Sequence, residues 1–368
     1  MEKVVNESVW GIRDYDAENH WRKLNLKKHK INVPTIIALG GSGTITERAA
    51  NGMLEIIEGM LRSVLGDVDI YKEMDLIGVA YGVHTIDEAS AQQKQTGDLL
   101  QREIEDFANN ILLPLCYDEK GNLLSIDEIC KNFSLITFVT HCAGAQILDE
   151  LLEYVLFKVG IQNDQINEEL IEKLSSSIKH VSYAPINGIG QRVPTTYFYS
   201  AKDRTFAGNI LFNDISFEFN VLPSSIEEIS LFLKSKRSYY GKIPSLGVVS
   251  GQLQNDGKGR KMIDEHSFSV LRKLMTGETM PFNGRVSANR DCFSKIMSIV
   301  IAKCVQNSFI NYVQDKPESF TLEEVREEIN EFIEGFYGYR FNEIKNLEKI
   351  YKKYEINSKL GLAKDKQF

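Results

Sequence analysis

The chain has 368 residues, 43% hydrophobic and 26% charged, with a formal net charge of −8 at pH 7. That balance is ordinary for a globular chain and argues against a general nucleic-acid binder, which would carry a basic face. The mean hydropathy of −0.23 goes with the lack of a run of about 18 apolar residues, so no transmembrane helix is expected.

Length alone leaves room for two or three domains, or for one elaborated α/β domain. The first residues, Met1-Glu2-Lys3-Val4-Val5-Asn6-Glu7, show no basic n-region followed by an apolar stretch. No Sec signal is expected, and the expected location is cytoplasmic. The five cysteines, Cys116, Cys130, Cys142, Cys292 and Cys304, are odd in number and form no CxxC pair. Neither a disulfide framework nor a zinc ribbon is indicated, and no metal or cofactor is expected.

In chain order, residues 1–32 are polar, with Arg22, Lys23, Lys27, Lys28, His29 and Lys30 clustered. They read as a solvated helix or arm packed on the domain. Residues 33–39 form a β-branched run ending in Gly40-Gly41-Ser42-Gly43. Ile45, Ala49, Met53, Ile56, Ile57, Met60 and Leu61 then recur at helical spacing. Further strands are expected at 75–81, 135–140, 181–184 and 196–200, with helices at about 87–113, 147–155 and 167–177. Four of these strands are uninterrupted apolar runs, the pattern of a parallel sheet covered on both faces. Strands alternating with amphipathic helices place the chain in the α/β class, as a doubly wound, mostly parallel sheet.

After Asp203 the pattern weakens. Strand-like pieces occur within 210–222, a helix at 224–236 and a short strand at 246–249. Helices are expected at 287–313 and 319–337, the latter opening on Thr321 and Glu324 spaced as a capping box. The 11 residues 185–195 between two expected strands are short for a parallel crossover. Either that link is irregular or one strand is misplaced.

The chemistry-bearing segment is Thr140-His141-Cys142-Ala143-Gly144. A buried strand runs into a tight turn of small residues and directly into a helix, which is the context of a nucleophile elbow. Gly144 meets the need for a small residue after the apex, whereas Thr140 replaces the usual small residue before it. A thiol suits that apex, because a helix N-terminus and an imidazole both favour a thiolate. A cysteine buried at a strand end is the plainer alternative.

A nucleophile at such an elbow is followed in the chain by an acid and then a histidine, each on a loop after a strand. Asp203 follows Tyr197-Phe198-Tyr199-Ser200-Ala201-Lys202 and holds the acid's place. His266, in Asp264-Glu265-His266-Ser267, holds the histidine's place. Gly41 and Ser42, after the first strand, are candidate backbone donors to an oxyanion, with the Ala143 N–H as their partner. His141 reads as a packing residue. A phosphate cradle at 40–44 is the rival, but it lacks a P-loop lysine, and Thr46 stands where GxGxxG needs its third glycine.

Taken in order, the Gly-Gly loop, the Thr-His-Cys-Ala-Gly elbow, Ser-Ala-Lys-Asp and Asp-Glu-His resemble the α/β-hydrolase superfamily over about residues 33–274. The cysteine at the apex looks like the Cys-His-Asp variant of dienelactone hydrolases. The resemblance implies hydrolysis of an ester, thioester or similar acyl bond through Cys142, His266 and Asp203. The implied substrate is a small or lipid-like acyl compound. Two other readings are a catalytically inactive hydrolase fold used for binding and a nucleotide-binding α/β protein.

The expected organisation is an N-terminal arm (1–32), an α/β-hydrolase-like domain (33–286) and a C-terminal helical region (287–368). Residues 206–243 would be an insertion where lids occur. Its aromatic residues would line a pocket or, more ordinarily, pack a core. The C-terminal helices would be an addition serving as a cap, a homodimer surface or a site for a protein partner.

Overall fold

A computed structural model describes residues 8–17, 19–41, 44, 46–66, 73–81, 104–162, 165–185, 193–200, 203, 218–221, 246–250, 268, 271, 284–314 and 320–337. The helix expected at 224–236 and all but the end of the helix expected at 87–113 lie outside these residues. So does most of the 206–243 insertion.

The first two strands, β1 (Val9–Arg13) and β2 (Trp21–Lys23), form an antiparallel pair. The arm expected at 1–32 therefore contributes strands to the sheet. Gly11 makes their close approach workable, because a Cβ there would lie 2.1 Å from the Trp21 ring. Arg13 fixes β1 to the next helix, donating to Glu58 Oε2 at 3.0 Å and to Asn51 Oδ1 at 2.8 Å.

Next come β3 (Thr35–Leu39), α1 (Glu47–Leu65) and β4 (Asp75–Ala80). Thr46 caps α1 by accepting from the Ala49 N–H at 3.1 Å. It thus serves as a helix cap at the position where a dinucleotide loop would need glycine. Residues 104–116 end in a π-helical turn and a 3-10 turn. Helix α2 (Ile126–Phe133) opens on a capping box between Ser125 and Glu128.

Strand β5 (Ile136–His141) leads into α3 (Gly144–Gly160), and a two-strand ribbon of β6 (Ile161–Gln162) and β7 (Gln165–Ile166) comes after it. Then come α4 (Glu168–Ser177), β8 (Lys179–Tyr183), β9 (Thr195–Ser200), β10 (Glu218–Val221) and β11 (Leu246–Ser250). Two helices, α5 (Gly284–Val313) and α6 (Leu322–Tyr337), complete the described elements.

Nine strands form one sheet in the order β10-β11-β9-β8-β5-β3-β4-β1-β2. Every pairing from β10 to β4 is parallel, and β1 runs antiparallel to both β4 and β2. β8 and β9 are parallel neighbours despite their short link, so neither strand is misplaced. Within the 206–243 insertion, β10 adds an edge strand beside β11.

Alternation along the strands divides the core into two layers. Ile37, Leu39, Ile77, Val79, Ile136 and Phe138 pack with α3 residues such as Leu148 and Leu151. Ile36, Leu76, Val139, Val181 and Phe198 pack on the other face with α1 and with Phe293, Met297 and Ile301 of α5. The C-terminal helical region shares that core: α5 packs on this face beside α1, and Val325 and Ile329 of α6 join the same cluster. The α5 stretch Phe293–Val313 is long and apolar enough to cross a membrane, but most of it is buried within the fold. Sequence periodicity could not assign it this place, since its apolar residues form no single stripe.

Candidate active site

The chain passes from β3 outward to β4, then returns to β5 on the other side of β3 and continues to β8 and β9. The direction of winding therefore reverses between β3 and β5. In parallel α/β sheets the crevice beyond the carboxyl ends of two such strands is where ligands bind. Here those ends carry Gly40-Gly41 and Cys142.

Cys142 sits between β5 and α3 with φ at 57°. A non-glycine residue in the left-handed region is costly and needs surrounding structure to hold it. Its backbone N–H donates to the Tyr183 carbonyl at 3.2 Å, tying the apex to the end of β8. Gly144 lets the helix start immediately. A Cβ there would lie 2.0 Å from the Leu39 carbonyl oxygen, so only glycine allows α3 to begin against the end of β3. The thiol consequently stands at the positive end of a 17-residue helix.

The loop after β3 meets the apex directly. A Cβ on Gly41 would lie 2.6 Å from Cys142 Cβ and 3.0 Å from its Sγ. The loop is pinned by a turn in which the Thr44 N–H donates to the Gly41 carbonyl at 2.9 Å. Gly41, Cys142 and Ala143 are thereby brought together. Ser42 lies outside the described residues.

Thr140 departs from the usual small residue before the apex, and its surroundings account for it. Its Oγ1 lies 2.8 Å from His180 Nε2 and 2.8 Å from Ser182 Oγ, both on β8. His180 Nδ1 in turn lies 2.9 Å from Thr195 Oγ1 on β9. Burial pushes the His180 imidazolium down to a pKa of about 3, so the ring is neutral in this chain of hydroxyls. A hydroxyl is accepted at position 140 because the neighbouring strands satisfy it.

Asp203 is buried, three residues past the end of β9. β9 is two strands from β5, about 10 Å at ordinary strand spacing, on the carboxyl side of the same sheet. His266 lies outside the described residues, but Phe268, two residues on, is buried beside the elbow. Its ring is 5.6 Å from that of His141 and 5.9 Å from that of Tyr183. His141 also stacks on Tyr183 at 5.7 Å.

One residue at this edge was not singled out by the sequence. Tyr81 comes directly after β4, is 5% exposed, and donates its N–H to the Thr44 carbonyl at 2.8 Å. Its hydroxyl is buried with no hydrogen-bond partner among the described residues. Burial pushes the phenol well above the usual tyrosine range, and the charge of a Cys142 thiolate adds to that. Nothing in a lone tyrosine after a strand marks it in advance, because the orphaned hydroxyl arises only from tertiary packing.

No family model and no curated protein matches the chain. Among solved structures, a sugar hydrolase (YeeB) from Lactococcus lactis aligns with 78% of this chain and 95% of its own length. The identity is 9% and the TM-score 0.33. FAE aligns with 78% of this chain and 87% of its own, at 10% identity and a TM-score of 0.30. At these scores the overlap is loose and carries no chemistry to this chain.

Proposed function

We propose that the chain hydrolyses an ester, thioester or similar acyl bond through a covalent intermediate on Cys142. The carrying observation is the apex itself. A cysteine is held at φ 57°, at the start of a helix, at the reversal point of the sheet, with a glycine backbone against its sulfur. Holding a residue in a costly conformation at a ligand crevice fits a nucleophile better than a packing cysteine.

In this reading His266 takes the proton of Cys142, oriented by Asp203. The order of the chain and the packing of Phe268 beside His141 support that assignment. The thiolate forms a C–S bond to the acyl carbon while the carbonyl π pair moves to oxygen. The backbone N–H groups of Ala143 and of Gly41 or Ser42 receive that charge. The carbonyl then re-forms, the bond to the leaving group breaks, and His266 returns its proton to that group. Water, deprotonated by His266, attacks the acyl-enzyme. The second tetrahedral adduct expels the Cys142 thiolate and releases the acid.

The substrate is proposed to be a small or lipid-like acyl compound, and the reaction needs no cofactor. Chromogenic acyl esters and thioesters assayed with wild type and Cys142→Ala test the proposal. Turnover in the wild type alone supports it. Equal turnover in both would place the chemistry elsewhere.

A further inference from the structure

Among the described residues, Tyr81 and Asp203 flank the apex from opposite sides. β4 lies two strands from β5 on the β3 side, and β9 lies two strands away on the β8 side. The acid of a triad belongs on one flank. The other flank, where Gly41 meets the thiol, is where a developing oxyanion would be received. Tyr81 is anchored to that loop through its N–H bond to Thr44. It packs in the same layer as Leu39 and the α3 residues Ile147 and Leu148. Its hydroxyl has a proton to give and, among the described residues, nothing to receive it.

A buried hydroxyl without a partner is costly, because it has given up its hydration for nothing. Such an orphan beside a crevice makes sense if its partner arrives with the ligand. We infer that the Tyr81 hydroxyl is a catalytic hydrogen-bond donor to the acyl oxygen of the substrate, acting beside the backbone donors at Gly41 and Ala143. The donor keeps its proton throughout. It shares it with the carbonyl oxygen more strongly as negative charge gathers there, and relaxes as the carbonyl re-forms. This inference rests on the Cys142 reading.

The test is Tyr81→Phe, which deletes the hydroxyl and keeps the ring. The expected result is a fall in kcat of about 10²-fold with KM little changed. A small aldehyde that adds to the thiol as a hemithioacetal, a tetrahedral mimic, should lose affinity by a similar factor. Alkylation of Cys142 by iodoacetamide forms no oxyanion, so its rate should stay as in the wild type. The melting temperature should hold or rise, because the orphaned group is gone; a merely structural tyrosine would instead lose stability.

Unchanged kcat and aldehyde affinity in Tyr81→Phe, with Cys142 still required for turnover, would overturn this inference alone. Turnover that survives Cys142→Ala would overturn both it and the reading beneath it.

Discussion

Gly41 lies against Cys142 so closely that a methyl group on it would meet both the Cβ, at 2.6 Å, and the sulfur, at 3.0 Å. Two loops far apart in sequence, after β3 and after β5, are thereby fitted to each other at the reversal point of the sheet. Gly41→Ala must displace either the loop or the thiol. A displacement of this kind at a reacting centre can cost on the order of 10²-fold in rate. The expected outcome is a loss of that size in kcat/KM on a chromogenic ester, with the far-ultraviolet circular dichroism unchanged.

Gly144 and Gly52 give opposite expectations. A Cβ on Gly144 would strike the Leu39 carbonyl oxygen at 2.0 Å, and backbone cannot swing aside as a side chain can. Gly144→Ala should cost about 3 kcal/mol in urea unfolding. Gly52, inside α1, has nothing within 4 Å of where its Cβ would lie. Gly52→Ala should therefore stabilise by about 1 kcal/mol through helix propensity. A neutral Gly144→Ala would mean that α3 does not begin hard against β3.

Two buried basic groups, His180 and Lys179, each add stability as pH rises. His180 is held down to a pKa of about 3 by burial, against 6.5 when free. Its contribution is present above 6.5 and is lost as pH falls toward 3, because the unfolded chain takes up a proton that the folded chain refuses. Lys179 is fully buried, and its amine donates to the Ser134 carbonyl and to Asn307 Oδ1. Burial pushes it down to about 7 from 10.5, although the nearby Cys304 opposes that shift. Its contribution is present above 10.5 and is lost as pH falls to 7. Each window carries a slope of up to about 1.4 kcal/mol per pH unit. Lys179→Met should flatten the slope in urea melts run from pH 7 to 9, below the range where the buried cysteines oppose it, and an unchanged slope there would contradict the assignment.

Thiol labelling should separate the cysteines. Burial pushes Cys116 and Cys304 up to about 12 and raises Cys130 as well. All three carry little thiolate near neutral pH. Limiting iodoacetamide at about pH 7.5, with peptide mass analysis, should mark Cys142 well ahead of these three. Cys116 labelled as fast as Cys142 would remove the distinction.

How much of this was legible in the sequence varies by element. The apolar runs of β3, β4 and β5 and the small residues around Cys142 each have a local physical cause, and both could be read from the chain. The strand β2 was not, because Trp21-Arg22-Lys23 is a short, mostly exposed edge strand whose charges resemble any wet surface, and the buried β1 is only five residues set in a polar stretch. The place of α5 was hidden because burial against α1 and the sheet depends on topology. Thr140 looked like a mismatch until His180 and Ser182 on the next strand supplied its partners. Tyr81 was invisible for the same reason, since adjacency across β3 leaves no mark on local pattern.

The most direct measurement of the central claim is the intact mass of the protein quenched in acid during turnover of an activated acyl ester, with peptide mapping of the adduct. The expected result is one acyl group, on the peptide carrying Cys142, that disappears as substrate is exhausted and never forms in Cys142→Ala. Steady turnover with no acylated Cys142, or an acyl group on another residue that persists in Cys142→Ala, would contradict it.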